Sequence, residues 1–451
     1  MVEIIKNINK KPRIKYFEKK SETIGRSELK ILQAERLKKT LRQIFSAGGF
    51  LKNRLAEAGL KNLKDVEKIK TALHIKNLPF TSKADLVDNY PFGIFSSPVK
   101  NIVRIHASSG TTGKPIIAGY TKRDIVIWSK LMARVFCGAD ISKSDIGQNA
   151  YGYGLFTGGL GFHYGAEKLG MTIIPMSAGF TERQFIMMQD IGATVLFCTP
   201  SYALFLSEEI HKYIPDKSKI KLRKGIFGAE PWSEELRKKI EKSLGIDAYD
   251  IYGLSEIMGP GVAFECVYKN GLHINEDNFL PEIIDPETGR VLEEGETGEL
   301  VLTSLNREAM PLIRFRTKDI TRLTGEKCKC GRTFVRMDKI KGRTDDMIIL
   351  KGVNVFPSQI ESVLFRCDYL EPVYMIELYT DNLLDKMNII IEPKNEIFNA
   401  GENKITDAVN EISHKIYELI GIRVKITAVP PKTLERSQGK AKRINDLRRK
   451  I

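Results

Sequence analysis

The sequence predicts an α/β protein with a large N-terminal domain of mostly parallel sheets, a small antiparallel unit and a C-terminal α+β domain. The chain has 451 residues, which is more than one hydrophobic core usually organises. In its middle part, short apolar runs alternate with amphipathic segments, as strands alternate with helices in α/β proteins. Turn-rich sequence replaces this alternation after Pro281, and the residues beyond Arg343 have helix and strand patterns of their own.

The composition is that of a globular protein rather than a membrane or disulfide-stabilised one. The chain contains no stretch of about eighteen apolar residues, and its charged segment 1–20 lacks the apolar core of a signal peptide. Six cysteines are too few for a disulfide framework in a chain of this length. We therefore expect a cytoplasmic protein that does not act on a membrane.

The net charge favours partners that are negatively charged. A formal charge of +15 suits anionic ligands such as nucleotides and coenzyme A. The basic residues are spread along the chain, and the richest cluster, 436–450, is also typical of a solvated tail. No aromatic residues are interleaved with that cluster as single-strand binding requires, so we expect no nucleic-acid partner.

The first hundred residues are predicted to be mainly helical. Apolar residues recur at helical spacing from Ser27 to Phe45. Further along, Thr81 or Ser82 is a candidate N-cap for a short helix that ends near Tyr90.

Four apolar runs in the middle of the chain are predicted to be buried parallel strands with helices between them. The strands are Met171–Pro175, Thr194–Cys198, Gly225–Gly228 and Ala248–Tyr252. The helices are Glu182–Asp190, Tyr202–Tyr213 and Glu234–Ser243. Ligands gather at the carboxyl ends of such strands. We therefore expect three polar segments that each follow a predicted strand, 108–115, 228–231 and 252–256, on one edge of the sheet.

A loop of small hydroxyl residues and glycines, Ser108 to Pro115, follows the alternating segment 102–105. Its main-chain N–H groups are free to face an anion, and Lys114 adds a positive charge. Only two residues separate Gly110 from Gly113, and a proline follows the lysine, so the loop is not a Walker loop. We predict a polyphosphate-binding loop whose magnesium ligand lies elsewhere; by itself the loop is also consistent with a flexible turn.

Two segments near the end of the large domain contain cysteine. Cys266 and His273 flank a predicted hairpin, and Cys328 and Cys330 belong to a tight turn further along the chain. Three thiolates and an imidazole form a closed tetrahedral set for structural zinc. Ordinary buried thiols beside a hydrogen-bonded histidine are the alternative, because spacing alone does not show that the two segments meet.

The residues after Pro281 predict two smaller units. Turn sequences at 285–289 and 293–298 flank the strand-like piece 299–303, which indicates an antiparallel unit. Beyond Arg343 the patterns predict a helix from Pro357, strands at 373–378 and 387–391, a helix around 405–420 and a strand at 424–428.

Five ordered motifs carry a resemblance to a known family: 104–115, 151–161, 228–232, 250–261 and 342–357. With these motifs the sequence resembles the phenylacetate-CoA ligases, members of the adenylate-forming acyl-CoA synthetase superfamily, from about Leu29 to its end. The resemblance implies an adenylation domain at 1–343 and a mobile lid domain at 344–451. It also implies two half-reactions: a carboxylic acid attacks ATP to give an acyl-adenylate and pyrophosphate, and CoA then displaces AMP to give a thioester.

The resemblance implies a role in ATP binding for many motif residues. Lys114 and its loop hold the β- and γ-phosphates, Tyr252 stacks on adenine, and Asp319 accepts both ribose hydroxyls. Glu256 supplies the carboxylate ligand for Mg²⁺. The ATP-binding set comprises Ser108, Ser109, Gly110, Thr111, Thr112, Gly113, Gly228, Ala229, Glu230, Pro231, Asp250, Tyr252, Gly253, Ser255, Asp319 and Arg343.

Other implied roles concern domain rotation, thioester formation and the acid. Lys440 reaches into the site during adenylation, Asp345 is the hinge, and Lys351 and Gly352 line the path of the CoA thiol arm. Tyr151, Phe156 and Gly158 resemble the aryl pocket of phenylacetate-activating members, where aromatic walls and small residues suit a flat ring. The implied process is aromatic acid catabolism, and a homodimer is the implied assembly.

Several alternatives remain open at this point. Indoleacetate, a hydroxyphenylacetate or a benzoate-like acid could replace phenylacetate. An adenylyltransferase of the same fold that acts on a deazaflavin coenzyme would need ATP but no CoA. A non-catalytic nucleotide-binding or basic nucleic-acid-binding scaffold would have lost Lys440, Glu256 or Asp319, and all three are present.

Overall fold

The computed structural model describes residues 13–108, 115–350, 353–381, 384–436 and 443–448. Its N-terminal region is helical, as predicted, with α1 (Lys19–Glu22), α2 (Arg26–Ala47), α3 (Gly49–Glu57), α4 (Leu63–Glu67) and α5 (Lys83–Asp88). Helix α2 buries the apolar stripe that its period predicts, including Leu29, Leu37 and Ile44. Of the two candidate caps, Ser82 is the N-cap of α5, and Asp85 completes a capping box.

The central part of the chain alternates strands with helices. Its strands are β1 (Ile102–Ser108), β2 (Ile116–Thr121), β3 (Ile146–Asn149), β4 (Thr172–Ile174), β5 (Val195–Cys198), β6 (Lys224–Gly228), β7 (Asp247–Leu254), β8 (Gly259–Glu265) and β9 (Leu272–Ile274). Its helices are α6 (Lys122–Gly138), α7 (Thr157–Leu169), α8 (Thr181–Ile191), α9 (Pro200–Tyr213) and α10 (Glu234–Leu244). The four predicted parallel strands and the three predicted helices between them are confirmed.

The remaining elements are mostly strands. They are β10 (Phe279–Ile284), β11 (Gly298–Ser304), β12 (Phe315–Thr321), β13 (Leu323–Thr324), β14 (Arg336–Met337), β15 (Gly342–Arg343), β16 (Ile348–Leu350), β17 (Val353–Val355), α11 (Pro357–Leu364), β18 (Leu370–Asp381), β19 (Leu384–Pro393), α12 (Asn395–Phe398), α13 (Glu402–Ile420), β20 (Lys425–Ala428) and β21 (Ile444–Asp446). None of the helices among the described residues combines the length and the apolarity needed to cross a lipid bilayer.

The main sheet is mixed. Among the described residues its strand order is β13-β14-β9-β8-β7-β6-β5-β3-β4. The half from β7 to β4 is parallel, whereas β8, β9, β14 and β13 add on antiparallel to one another from β7 outward. Because β6 and β7 run parallel and adjacent, with Gly228 opposite Ile251, the segments that follow them lie at the same edge.

The strand before the predicted polyphosphate loop differs from the prediction that it belongs to the same sheet as the strands before 228–231 and 252–256. β1 does not join the parallel sheet but pairs antiparallel with β2 in a separate two-stranded sheet, with Ser108 opposite Ile116. The physical reason is the short connection, since the seven residues between the two strands cannot form the long crossover that parallel strands need. The residues at which the loop starts and ends, Ser108 and Ile116, therefore lie opposite each other.

The two smaller units match the prediction. β10, β11, β12 and β15 form the antiparallel sheet after Pro281, and the C-terminal residues form a sheet in the order β20-β19-β18-β21 with helices packed on it. The C-terminal unit contacts α10 of the large domain: the Arg366 guanidinium lies 2.9 Å from the Glu235 carboxylate, and the Ser233 N–H donates to Glu361 at 3.3 Å.

A buried ion pair connects α6 to the turn after β9. Arg134 donates two hydrogen bonds to the two carboxylate oxygens of Asp277, at 2.8 and 2.9 Å, and both side chains are almost fully buried. Arg134 also donates to Glu18 at 2.7 Å, which attaches the segment before α1 to the same point. Burial by itself would lower the pKa of Arg134, but the Asp277 carboxylate outweighs this effect and raises the pKa above its ordinary value.

We expect Arg134→Met to lower the free energy of unfolding by about 3 kcal/mol, because it removes the closest counter-charge of the buried Asp277 carboxylate and leaves only Arg36, at 3.7 Å. The measurement is urea unfolding of the large domain followed by intrinsic fluorescence. The matched control is Arg42→Met, which removes an exposed ion pair with Glu67 and should hardly change the midpoint. Equal midpoints for the two variants would contradict this expectation.

Candidate active site

A cleft lies beside the carboxyl ends of β6 and β7. The turn 229–232 forms one wall, residues 250–254 form the floor, and Asp319, Lys339 and Arg343 close the far side. Ala229 has a φ of 74°, which is in the left-handed region and is strained for a residue with a side chain. A strained turn at the end of a parallel strand is typical of a ligand-binding edge.

Three polar side chains form a connected set on the far side of this cleft. The Tyr252 hydroxyl donates to Asp319 Oδ2 at 2.6 Å, and Arg343 donates to Asp319 Oδ1 at 3.1 Å. The antiparallel pairing of β12 with β15 places Asp319 opposite Arg343. Each carboxylate oxygen keeps a lone pair for a further donor, so the set can accept hydroxyl groups from a ligand in the cleft.

Burial shifts the titration of two cleft carboxylates. It raises the pKa of Asp319 to about 6, against the opposing effect of Arg343. Burial likewise raises the pKa of Asp250 to about 6. Both groups therefore change charge just below neutral pH.

Glu256 lies in the turn between β7 and β8 and is almost fully buried. Its carboxylate accepts a hydrogen bond of 3.0 Å from the Ser108 hydroxyl at the end of β1. The next residue back, Ser255, contacts the Thr157 hydroxyl at 3.2 Å. The turn after β7 therefore meets the start of the predicted polyphosphate loop, and the two together offer the hard oxygen donors that Mg²⁺ prefers.

The three residues of the predicted aryl pocket lie together beside the cleft. The ring centroid of Tyr151 is 6.2 Å from that of Phe156, and the Tyr151 hydroxyl donates to the Gly228 carbonyl at 3.3 Å. A Cβ at Gly158 would collide with the rings of both Phe156 and Tyr151, so only glycine allows them to approach. Phe156 is 42% exposed, so this aromatic group is open on one side.

Several predicted site residues lie outside the described residues: Ser109, Gly110, Thr111, Thr112, Gly113, Lys114, Lys351, Gly352 and Lys440. The predicted hinge residue, Asp345, is half exposed and accepts a hydrogen bond of 2.8 Å from Arg343. The hairpin of β16 and β17, which carries the predicted CoA path, has Leu350 opposite Val353.

Trp232 and Lys339 are among the cleft residues that sequence reasoning missed, and they contact each other. The Lys339 ammonium lies 4.5 Å from the centroid of the Trp232 ring and forms an ion pair of 2.5 Å with Glu234. Both Lys339 and Trp232 line the cleft. Trp232 ends a motif of the resemblance and could have been proposed on that ground, whereas no local pattern distinguishes Lys339 from the other lysines.

The two cysteine segments meet, which their spacing did not show. Cys266 follows β8, His273 lies in β9, and Cys328 and Cys330 lie between β13 and β14. The candidate ligand atoms of these four buried residues all lie within 4.8 Å of one another. The Sγ atoms of Cys266 and Cys328 are 3.7 Å apart, and Cys330 Sγ is 3.4 Å from His273 Nε2.

The chemistry of this cluster fits a metal ion. Hydrogen bonds among the three thiols lower the pKa values of Cys328 and Cys330 and raise that of Cys266, so the support for a metal ion comes from the geometry and from the three sulfur donors and one nitrogen donor. Four protein ligands would close a tetrahedral shell, so the cluster suits a structural ion rather than a catalytic one.

Two family models match the chain. The one described as AMP-binding enzyme matches residues 31–306, and the one described as AMP-binding enzyme C-terminal domain matches residues 352–448. The chain is 45% identical over 442 residues to the phenylacetate-coenzyme A ligase of Thermus thermophilus, covering 95% of this chain and 98% of that protein. It is 47% identical over 433 residues to the phenylacetate-coenzyme A ligase of Pseudomonas putida, covering 95% and 96% of the two chains.

A solved relative has been captured in two states. Against 2-hydroxyisobutyryl-CoA ligase in the postadenylation state with R3-HIB-AMP, the TM-score is 0.89 at 25% identity, covering 97% of this chain and 94% of that chain. Against the same enzyme with 2-HIB-AMP and CoA in the thioesterification state, the TM-score is 0.70 at 26% identity, covering 98% and 94%. The domain arrangement described above is therefore closer to the postadenylation state. With both family models and near-full-length relatives in agreement, this chain belongs to the phenylacetate-CoA ligase family of AMP-binding enzymes and is an AMP-forming acid–CoA ligase.

Proposed function

We propose that this chain activates an aryl acid, with phenylacetate as the first candidate, through an acyl-adenylate to its CoA thioester and releases AMP and pyrophosphate. The observation that supports this most is the contact between the aromatic pocket and the cleft. The Tyr151 hydroxyl binds the carbonyl of Gly228, the residue from which the cleft turn 229–232 begins. An acid whose ring lies beside Tyr151 thus has its carboxylate near the nucleotide, as adenylation requires.

The cleft residues suit ATP in this scheme. Tyr252 forms a flat wall for adenine, and Asp319 receives the ribose hydroxyls while Arg343 holds its carboxylate in place. The loop that begins at Ser108 and contains Lys114 would hold the β- and γ-phosphates. Glu256 and Ser108 would hold Mg²⁺, which neutralises phosphate charge as pyrophosphate leaves.

The second half-reaction calls for a different domain arrangement. We take residues 1–343 as the adenylation domain and 344–451 as the lid, with rotation about Asp345. Lys440 would serve adenylation as a mobile point charge, and Lys351 and Gly352 would later line the path of the CoA thiol arm. The two states of the solved relative support this alternation.

The cysteine cluster would hold one structural zinc ion. Cys266, His273, Cys328 and Cys330 would then connect the β8–β9 hairpin to the turn before β14, where a small unit has little core of its own.

The central test is the release of pyrophosphate and AMP from ATP with a panel of aryl acids, with and without CoA. We expect pyrophosphate release to depend on the acid and a thioester to form only with CoA, with phenylacetate among the best substrates. Pyrophosphate release without thioester formation in the presence of CoA would instead favour an adenylyltransferase with another acceptor.

The same assay tests the proposed role of Lys440 in adenylation, with the nearby Lys442 as the control. Lys440→Ala should abolish pyrophosphate release and keep thioester formation from supplied acyl-adenylate, whereas Lys442→Ala should keep both. Equal loss of the two half-reactions in Lys440→Ala would contradict the assigned role.

The cleft carboxylates predict a pH dependence. Because the pKa of Asp319 is about 6, its carboxylate becomes neutral below that pH and loses acceptor capacity, so KM for ATP should rise about tenfold per pH unit below about 6. Asp319→Asn should show a high KM that varies little with pH. Asp250→Asn is the control, because Asp250 titrates in the same range. A profile that disappears only in Asp250→Asn would assign the titration to that residue instead.

The metal proposal predicts about one zinc ion per chain in purified protein, because a closed tetrahedral site releases its ion slowly. Elemental analysis is the measurement. Replacing both Cys328 and Cys330 by serine should remove the ion and lower the thermal midpoint. Cys367→Ser, at a buried cysteine outside the cluster, is the control and should keep the ion. Metal-free wild-type protein would rule the site out.

A further inference from the structure

Arg307 is an unusual residue in the connection between β11 and β12. Its side chain is 1% exposed, and the acceptors of its guanidinium among the described residues are main-chain carbonyls rather than carboxylates. Its guanidinium donates to three main-chain carbonyls, those of Glu256, Ile257 and Gly119. A buried charge without a counter-charge is costly, so the contacts that it makes point to a specific role.

The three carbonyls belong to two segments that meet at the candidate active site. Glu256 and Ile257 lie in the turn between β7 and β8, and Gly119 lies in β2, which follows the predicted polyphosphate loop. One side chain therefore ties the turn that carries the proposed magnesium ligand to the hairpin that carries the loop. A guanidinium can do so because its fork presents donors in several directions, whereas an ammonium acts as a single point.

Tyr120 reinforces this connection from β2. Its hydroxyl lies 3.4 Å from the Ser255 carbonyl and 3.2 Å from the Met258 carbonyl, and can donate to either. Its ring lies against the guanidinium of Arg307, with the carbon atom of that group 4.9 Å from the ring centroid. The carbonyls of residues 255–258 are thus held by a pair of buried side chains that also contact each other.

The segment that carries Arg307 is itself fixed. The N–H groups of Glu308 and Ala309 donate to the Asp124 carboxylate at 2.7 and 2.9 Å. The Thr121 hydroxyl donates to Glu308 at 2.9 Å, at the N-terminus of α6. The main chain next to Arg307 is therefore held by hydrogen bonds, so that its guanidinium can hold the turn in one position.

We infer that Arg307 is a positioning residue that holds the Glu256 turn against β2, so that the Glu256 carboxylate and the Ser108 hydroxyl bind one magnesium–nucleotide complex together. This inference rests on the proposed role of Glu256. Arg307 itself touches neither the metal ion nor the nucleotide and acts through the main chain of the turn.

The test is calorimetric binding of ATP to the full-length enzyme, in saturating Mg²⁺ and in EDTA. The ratio of the two affinities measures how much Mg²⁺ strengthens nucleotide binding. Loss of a group that orients a metal ligand typically lowers metal affinity by about tenfold or more, so we expect Arg307→Met to reduce this ratio by about tenfold. Arg307→Lys and Tyr120→Phe each remove only some of the donors and should reduce it by about threefold. Affinity in EDTA should stay unchanged in all three variants.

The control is Arg336→Lys, because Arg336 is also buried and also donates to main-chain carbonyls, those of Asn270 and Glu326. It should lose stability and keep the wild-type ratio. If Arg307→Met does not fold, Arg307→Lys and Tyr120→Phe carry the test. Equal loss of affinity with and without Mg²⁺ in the Arg307 variants would show a merely structural role and overturn the inference.

A reference variant separates this inference from the proposal beneath it. Glu256→Gln should reduce the ratio more than any Arg307 variant. A reduced ratio in Glu256→Gln with wild-type ratios in Arg307→Lys and Tyr120→Phe would overturn the inference alone. A wild-type ratio in Glu256→Gln would overturn the magnesium role of Glu256 and the inference with it.

Discussion

The parallel pairing of β6 with β7 is the constraint on which the candidate site depends. The register with Gly228 opposite Ile251 brings the turn 229–232 and the segment 252–256 to one edge of the sheet. Three contacts connect other parts of the site to these two strands and the turns that follow them. Asp319 contacts Tyr252, Ser108 contacts Glu256, and Tyr151 contacts Gly228. A slip of β7 against β6 would displace the first two contacts from the third.

Three buried charged side chains, Arg134, Asp319 and Arg307, lie around this edge of the sheet. They differ in the groups that compensate their charge. Arg134 is paired with the carboxylate of Asp277 and serves the fold. Asp319 is buried with Tyr252 and Arg343 but still faces the cleft, and its raised pKa reflects incomplete compensation. Arg307 has only main-chain carbonyls as hydrogen-bond acceptors among the described residues. Of these three charges only Asp319 faces the cleft, so its incompletely compensated carboxylate is the one that is available to a ligand.

The large domain and the C-terminal unit share one apolar cluster, to which Trp232 and Leu236 contribute on one side and Ile360 on the other. The polar contacts around it are weaker: the ion pair of Glu235 with Arg366 is exposed on the arginine side, and a hydrogen bond joins the Ser233 N–H to Glu361. Exposed ion pairs contribute little stability, so the apolar cluster is the main contribution to this interface. The solved relative has been captured in a postadenylation and in a thioesterification state.

The sequence by itself determined the α/β class and the strands and helices from Met171 to Tyr252, because periodicity is a property of neighbouring residues. The candidate residues Tyr252, Glu256 and Asp319 came from the sequence through its resemblance to a known family. Only the tertiary structure decided that β1 pairs with β2, that Cys266 and His273 meet Cys328 and Cys330, and that Lys339 lines the cleft. It also decided which carbonyls Arg307 holds. These features depend on contacts between segments far apart in the chain, which no local pattern encodes.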